Sequence, residues 1–127
     1  MNGSEYKAIA SETELQIQVI EYINYQYPGT LYHHSANEGK RTVVNGSKLK
    51  KMGMSKGFPD LAIFEPRGDA YGLFIELKRD DGSKVSDDQI TWLQELYKRG
   101  YAAFVCRGFD EAKHVIDQYM RLPYGAS

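Results

Sequence analysis

Cysteine is almost missing from this chain: Cys106 stands alone among 127 residues. A single thiol excludes an internal disulfide framework and suits a reducing compartment. Its place in an apolar run predicts a small buried side chain. Long apolar runs are missing too, so no segment is expected to span a bilayer, and the first residues show no signal-peptide pattern. Repeats, low-complexity tracts and linker-like stretches are lacking, which argues against a second domain. The expected organisation is a flexible segment over residues 1–10, one domain over 11–121 and a short tail over 122–127. Net charge is nearly absent at −1, but acid is unevenly spread. Between Gly39 and Pro59 the chain has six basic residues (Lys40, Arg41, Lys48, Lys50, Lys51 and Lys56) and no Asp or Glu. Such a segment suits a phosphodiester backbone, and a merely solvated loop accounts for it equally well.

What is present is organised around Gly57 to Lys78. Two apolar runs, one after Asp60 and one from Leu73, flank a link from Glu65 to Tyr71 that carries Pro66, Gly68 and Asp69. That composition predicts an antiparallel hairpin with a longer loop. Asp60 falls where the first strand begins. Glu76 and Lys78, two apart near the end of the second, project from one face. The hairpin thus gathers two carboxylates and an ammonium. Carboxylate oxygens are hard ligands suited to Mg²⁺ or Mn²⁺, and a lysine beside them can orient an attacking water and offset charge on a phosphate. A Glu/Lys pair on a strand is usually a solvated face. Here the charges interrupt a run, Leu73 to Leu77, that is apolar on both sides and reads as a central strand. Acids are seldom buried without a partner or a metal, which favours a functional site.

The flanking elements follow from periodicity. A helix is predicted from about Ser11 to Gln26, with Leu15, Val19, Ile20 and Ile23 on one face and Pro28-Gly29 ending it. Ser11 and Glu14 have capping-box spacing, which gives Glu14 a structural task. Glu12 falls in register with Leu15, Val19 and Ile23, so it is expected on the core side with Gln16 one turn on. A short strand over Thr30 to His34 follows, then a polar loop and a basic helix over Ser47 to Met52. His33 and His34 invite a histidine-based metal site. Adjacent strand residues point to opposite faces, however, so the two are not expected to serve one metal. A second long helix starts at Ser86, where Ser86 and Gln89 again have capping-box spacing; Gln89 adjoins the inner face formed by Ile90, Leu93 and Tyr97. Tyr101 to Cys106 reads as a buried strand, parallel to Leu73–Lys78 across that helix. A last helix from about Phe109 to Arg121 shows an apolar stripe of Ala112, Val115, Ile116, Tyr119 and Met120. The expected fold is an α/β layer with helices on both faces of a mixed sheet.

Five short motifs in this order carry a resemblance: Asn37-Glu-Gly-Lys-Arg41, Gly57-Phe-Pro-Asp60, Glu76-Leu-Lys-Arg79, Ser86-x-x-Gln89-x-x-Trp92 and Gly100-Tyr-x-Ala-x-Val-Cys106. From Ser11 to Met120 the chain resembles the VRR-NUC family of the PD-(D/E)xK nuclease superfamily, in particular its small stand-alone bacteriophage members. The resemblance implies a restriction-endonuclease-like core and a metal-dependent nuclease. It also implies a homodimer acting on branched DNA such as Holliday junctions, in the cytoplasm of a bacterial or virus-infected host cell, with no small-molecule cofactor. It carries the metal-ligand role to Asp60, Glu76 and the Leu77 carbonyl. It makes Lys78 the residue that positions the nucleophilic water, with Glu12 (or Glu14) and Gln89 completing the site. Asn37 and the six basic residues are the expected nucleic-acid contacts. Two other readings use the same residues: a DNA-binding protein without catalysis, which would not require Asp60, Glu76 and Lys78 together, and a histidine-metal nuclease.

Overall fold

The computed structural model describes residues 10–35, 46–53 and 55–125. Helix α1 (Glu12–Gln26) leads to strand β1 (Tyr32–His34), a short basic helix α2 (Gly46–Lys51), strands β2 (Leu61–Ile63) and β3 (Leu73–Lys78), helix α3 (Asp87–Lys98), strand β4 (Ala102–Arg107) and helix α4 (Gly108–Met120). The strands form one mixed sheet in the order β1-β2-β3-β4. β1, β2 and β3 run antiparallel to their neighbours, while β3 and β4 are parallel, as a connection through a full helix requires.

β3 sits centrally because its alternation supplies apolar side chains to both faces. Leu73, Ile75 and Leu77 join Leu61 and Ile63 on one face, where Leu15, Val19 and Ile23 of α1 and Ala112, Ile116 and Tyr119 of α4 cover them. Phe74 and Ala62 point the other way and form a smaller core with Leu96, bordered by Trp92, Tyr101 and Ala103. Glu76 and Lys78 share the parity of Phe74, so they stand on the face that α3 covers.

Three sequence expectations need correction. β4 is only half buried: Cys106 is fully enclosed, but Phe104 remains exposed, because β4 is an edge strand. Helix α3 turns Leu96 and Trp92 to the sheet rather than Ile90 and Tyr97, which are exposed. Glu12 is exposed, because the buried stripe of α1 starts only at Leu15 and the first turn lies beyond it. The thiol of Cys106 is inert, pushed up to about 12 by burial and then by the Glu111 charge. Residues 122–125 run beside the hairpin link: the Gly68 amide donates to the Pro123 carbonyl and the Gly125 amide to that of Pro66, each at 2.8 Å.

Candidate active site

The sheet builds its polar corner where β2 begins and β3 ends. Asp60 immediately precedes β2, opposite Glu76 in the antiparallel register. Its main-chain carbonyl accepts from the Ser35 amide at 2.8 Å, and its carboxylate accepts from the Leu77 amide at 2.8 Å. The residue just past β1 thus fixes the main chain of Asp60, and β3 fixes its side chain. Glu76 is 4 % exposed. Its Oε2 accepts from the Gln89 side-chain amide at 3.0 Å and lies 3.9 Å from the Lys78 ammonium. Its Oε1 is buried with no hydrogen-bond partner.

Two carboxyls this close cannot both be charged cheaply. Burial, then the Asp60 charge, push Glu76 up to about 8, against the opposing pull of Lys78. Burial also raises Asp60, opposed by the Leu77 amide. Burial and mutual repulsion thus disfavour full ionisation of the pair.

Gln89 performs two tasks with one amide. Its Oε1 accepts from the Ser86 amide at 2.9 Å while the Ser86 hydroxyl accepts from the Gln89 amide, a complete capping box at the start of α3. That bond turns the Nε2 group toward Glu76. At Ser11 only half of the box forms: the Ser11 hydroxyl accepts from the Glu14 amide. Of the helix-one acids, Glu12 is among the main causes that raise both Asp60 and Glu76, through its charge.

The histidines behave as strand alternation requires. His33 is exposed, and His34 is part-buried on the α1 side, lowering Asp60 through its charge. Among the described residues no group of three or more His, Cys, Asp or Glu side chains is placed to hold a metal ion. Lys48, Lys50, Lys51 and Lys56 are exposed. Asn37, Lys40 and Arg41 lie outside the described residues.

Sequence reasoning missed Gly57. It adopts φ +91°, and a Cβ there would meet the Asp88 carbonyl carbon at 2.6 Å and the Gln89 nitrogen at 2.7 Å. The loop that delivers Asp60 therefore lies directly against the first turn of α3, which presents Gln89 to Glu76. A glycine three residues before the acid was the available signal, since glycine permits both positive φ and close backbone approach.

Known proteins match this chain and its fold. The VRR-NUC domain family matches over residues 2–110. The chain belongs to the VRR-NUC family. A solved structure described as a VRR-NUC domain protein is 32 % identical, covers 94 % of each chain and superposes with a TM-score of 0.76. Another, described as a VRR-NUC domain, is 26 % identical over 85 % of this chain and 96 % of its own, with a TM-score of 0.56. No curated protein matches. In this nuclease-type family member the corner fits a hard divalent cation. Asp60 and Glu76 offer carboxylate oxygens, one of them buried and without a hydrogen-bond partner, and a cation would offset the charge that burial disfavours.

Proposed function

We propose that this VRR-NUC domain is a Mg²⁺- or Mn²⁺-dependent endodeoxyribonuclease of the small stand-alone bacteriophage type, acting on branched DNA. The observation that carries this reading is the Glu76 carboxylate, buried beside Asp60 with one oxygen left without a partner. Asp60 and Glu76 would hold the cation. The Leu77 carbonyl would join them, because a strand residue turns its N–H and C=O to the same neighbour and the Leu77 amide already faces Asp60. When bound, the cation supplies Lewis-acid activation of water and of the phosphate. Gln89 fixes the Glu76 carboxylate through Oε2 and leaves Oε1 for coordination. Lys78, its side chain 18 % exposed at the strand end, orients the attacking water and offsets charge on the phosphate. Glu12 adds negative field at the rim of the corner, strengthening its preference for a cation. The exposed lysines of α2, with Lys56, hold the flanking backbone.

The test is cleavage of duplex, forked and four-way DNA with added Mg²⁺ or Mn²⁺, by the wild type and by Glu76→Gln. Metal-dependent cutting that the substitution abolishes supports the assignment. Binding without cutting by the wild type would leave a DNA-binding protein on a nuclease fold. Replacing Lys48, Lys50 and Lys51 by Ala should weaken binding to every DNA shape and lower the slope of log K against log salt by about 0.9 per lost phosphate contact.

One chain offers one carboxylate corner, and a four-way junction needs two coordinated cuts, so the active form is a two-fold pair. Among the aromatic and apolar residues near the end of α1 and near the C-terminus, Tyr22 and Tyr27 are bonded to Asp117 and Tyr119 is buried, whereas Tyr25, Leu122 and Tyr124 are exposed and open to a partner. Mixing wild-type with Glu76→Gln subunits on a junction in a supercoiled plasmid should convert linear product to nicked circles. Linear product that falls only in proportion to the wild-type fraction, without added nicks, overturns the pairing.

A further inference from the structure

Beside the carboxylate corner stands an aromatic ring with no catalytic task. Phe58 precedes Asp60 by two residues and is 39 % exposed. Its inner side is held by Trp92 of α3, with ring centroids 4.9 Å apart at 84°, and by Phe74 of β3 at 5.9 Å and 83°. Both contacts are edge-to-face and hold the ring from its inner side, leaving the rest of it open to solvent. The backbone on either side is immobilised: Pro59 is fully buried, and Gly57 is pressed against Asp88 and Gln89. Phe58 is therefore a rigid, partly exposed ring at a fixed place.

That place is one step from the corner. Phe74 and Glu76 are alternate residues on one face of β3, about 6.6 Å apart along a strand. Trp92 and Gln89 are three apart on the facing side of α3. The Phe74–Trp92 pair under Phe58 is thus the next rung beyond the Glu76–Gln89 pair. Lys56, exposed, precedes the ring by two positions in the chain. An apolar ring and a nearby basic residue of the same loop match a nucleotide, which joins a flat base to an anionic phosphate.

We propose that Phe58 is a stacking platform for an unpaired base of the DNA strand engaged at the carboxylates, with Lys56 on the adjoining phosphate. This rests on the reading of nucleic acid as the substrate and adds the reason why branched DNA is chosen. In an intact duplex each base is already stacked and paired, whereas a fork, or a junction opened at its branch point, offers a free face to the ring.

The full chain is titrated, in a chelator, with a fork carrying 2-aminopurine at its unpaired branch position and with a blunt duplex carrying it paired. For the wild type the fork signal should be quenched on binding. Phe58→Leu keeps an apolar side chain without the ring; its affinity for the fork should fall roughly tenfold with the quench lost, while duplex affinity stays within about twofold. Phe58→Trp should keep both quench and fork affinity. Equal losses on fork and duplex would mean that the ring merely lids the smaller core, and that overturns the proposal. So does unchanged fork binding, or a quench that persists in Phe58→Leu. Cleavage with added metal is read in a separate assay. A wild type that binds the fork with quenching yet never cuts with metal defeats the nuclease reading alone, and intact fork binding by Phe58→Leu in a protein that does cut defeats this one alone.

Discussion

Among the described residues two carboxylates are withdrawn from water, Glu76 on β3 and Asp117 on α4, at 4 % and 6 % exposure. Their surroundings differ in kind. Asp117 accepts from the Tyr22 and Tyr27 hydroxyls at 2.5 and 2.6 Å through one oxygen, and from Lys113 at 3.1 Å through the other. Burial pushes its carboxyl up, but these bonds and the Lys113 charge outweigh burial and hold it below the ordinary value. Glu76 has one hydrogen-bond donor, a lysine too distant to bond, a second acid alongside and an oxygen with no partner. Burial alone therefore does not distinguish one acid from the other. Asp117, its partners complete, ties α1 to α4; Glu76, left short of them, keeps an oxygen open to a further ligand.

The largest expected effect separates the two by function. Glu76→Gln should reduce cleavage on the order of 10²–10³-fold or more, the scale of losing one preorganised electrostatic group. Asp117→Ala should leave cleavage per folded molecule unchanged. A comparable loss of cleavage in both variants would erase the distinction.

Stability should run the other way. Asp117→Ala strands two tyrosine hydroxyls and an ammonium, and should cost about 3 kcal/mol in denaturant unfolding. Metal-free Glu76→Gln should unfold at a temperature equal to or above that of the wild type, since it removes an acid that folding places unfavourably.

The pH signatures are opposite in sign. Between 4.5 and about 8 the folded chain keeps on Glu76 a proton that the unfolded chain has released. Stability from this group is therefore full below 4.5 and is lost as pH rises to about 8. The melting-temperature advantage of Glu76→Gln over the metal-free wild type should grow across that window, and saturating divalent metal should shrink it. Asp117, held below 3.8, contributes stability above that value and loses it only as pH falls through its lower folded value. A flat difference curve for Glu76→Gln would show that its carboxyl is not perturbed.

Single-donor changes sharpen the contrast further. Gln89→Glu keeps an oxygen for the Ser86 amide but withdraws the donor to Glu76, and should cost about 10–100-fold in metal affinity, read by calorimetry, or in cleavage. The smallest effect belongs to Lys113→Ala. Its side chain is 45 % exposed and is one of three donors to Asp117, so unfolding should register less than about 1 kcal/mol.

The sequence by itself determined the element order, the two N-caps, the hairpin and the joining of Asp60 with Glu76 and Lys78. Each rests on local rules: alternation along a strand, the helical repeat, and side chains that bond a backbone amide three residues on. It also placed Gln89 near the inner face, since its distance from the cap is fixed by the helix. Tertiary structure alone decided what depends on distant segments meeting. Asp117 lies beside an apolar stripe and four residues after a lysine, so it reads as surface until Tyr22 and Tyr27, at least 90 positions away, close over it. The exposure of Glu12 followed from where the sheet ends, and that of Phe104 from β4 having no strand beyond it. The seat of Gly57 on Asp88 and Gln89, which locks the two halves of the site together, exists only because the chain returns there through the hairpin and α3. Local periodicity sets which way a side chain points; only packing sets what it meets there.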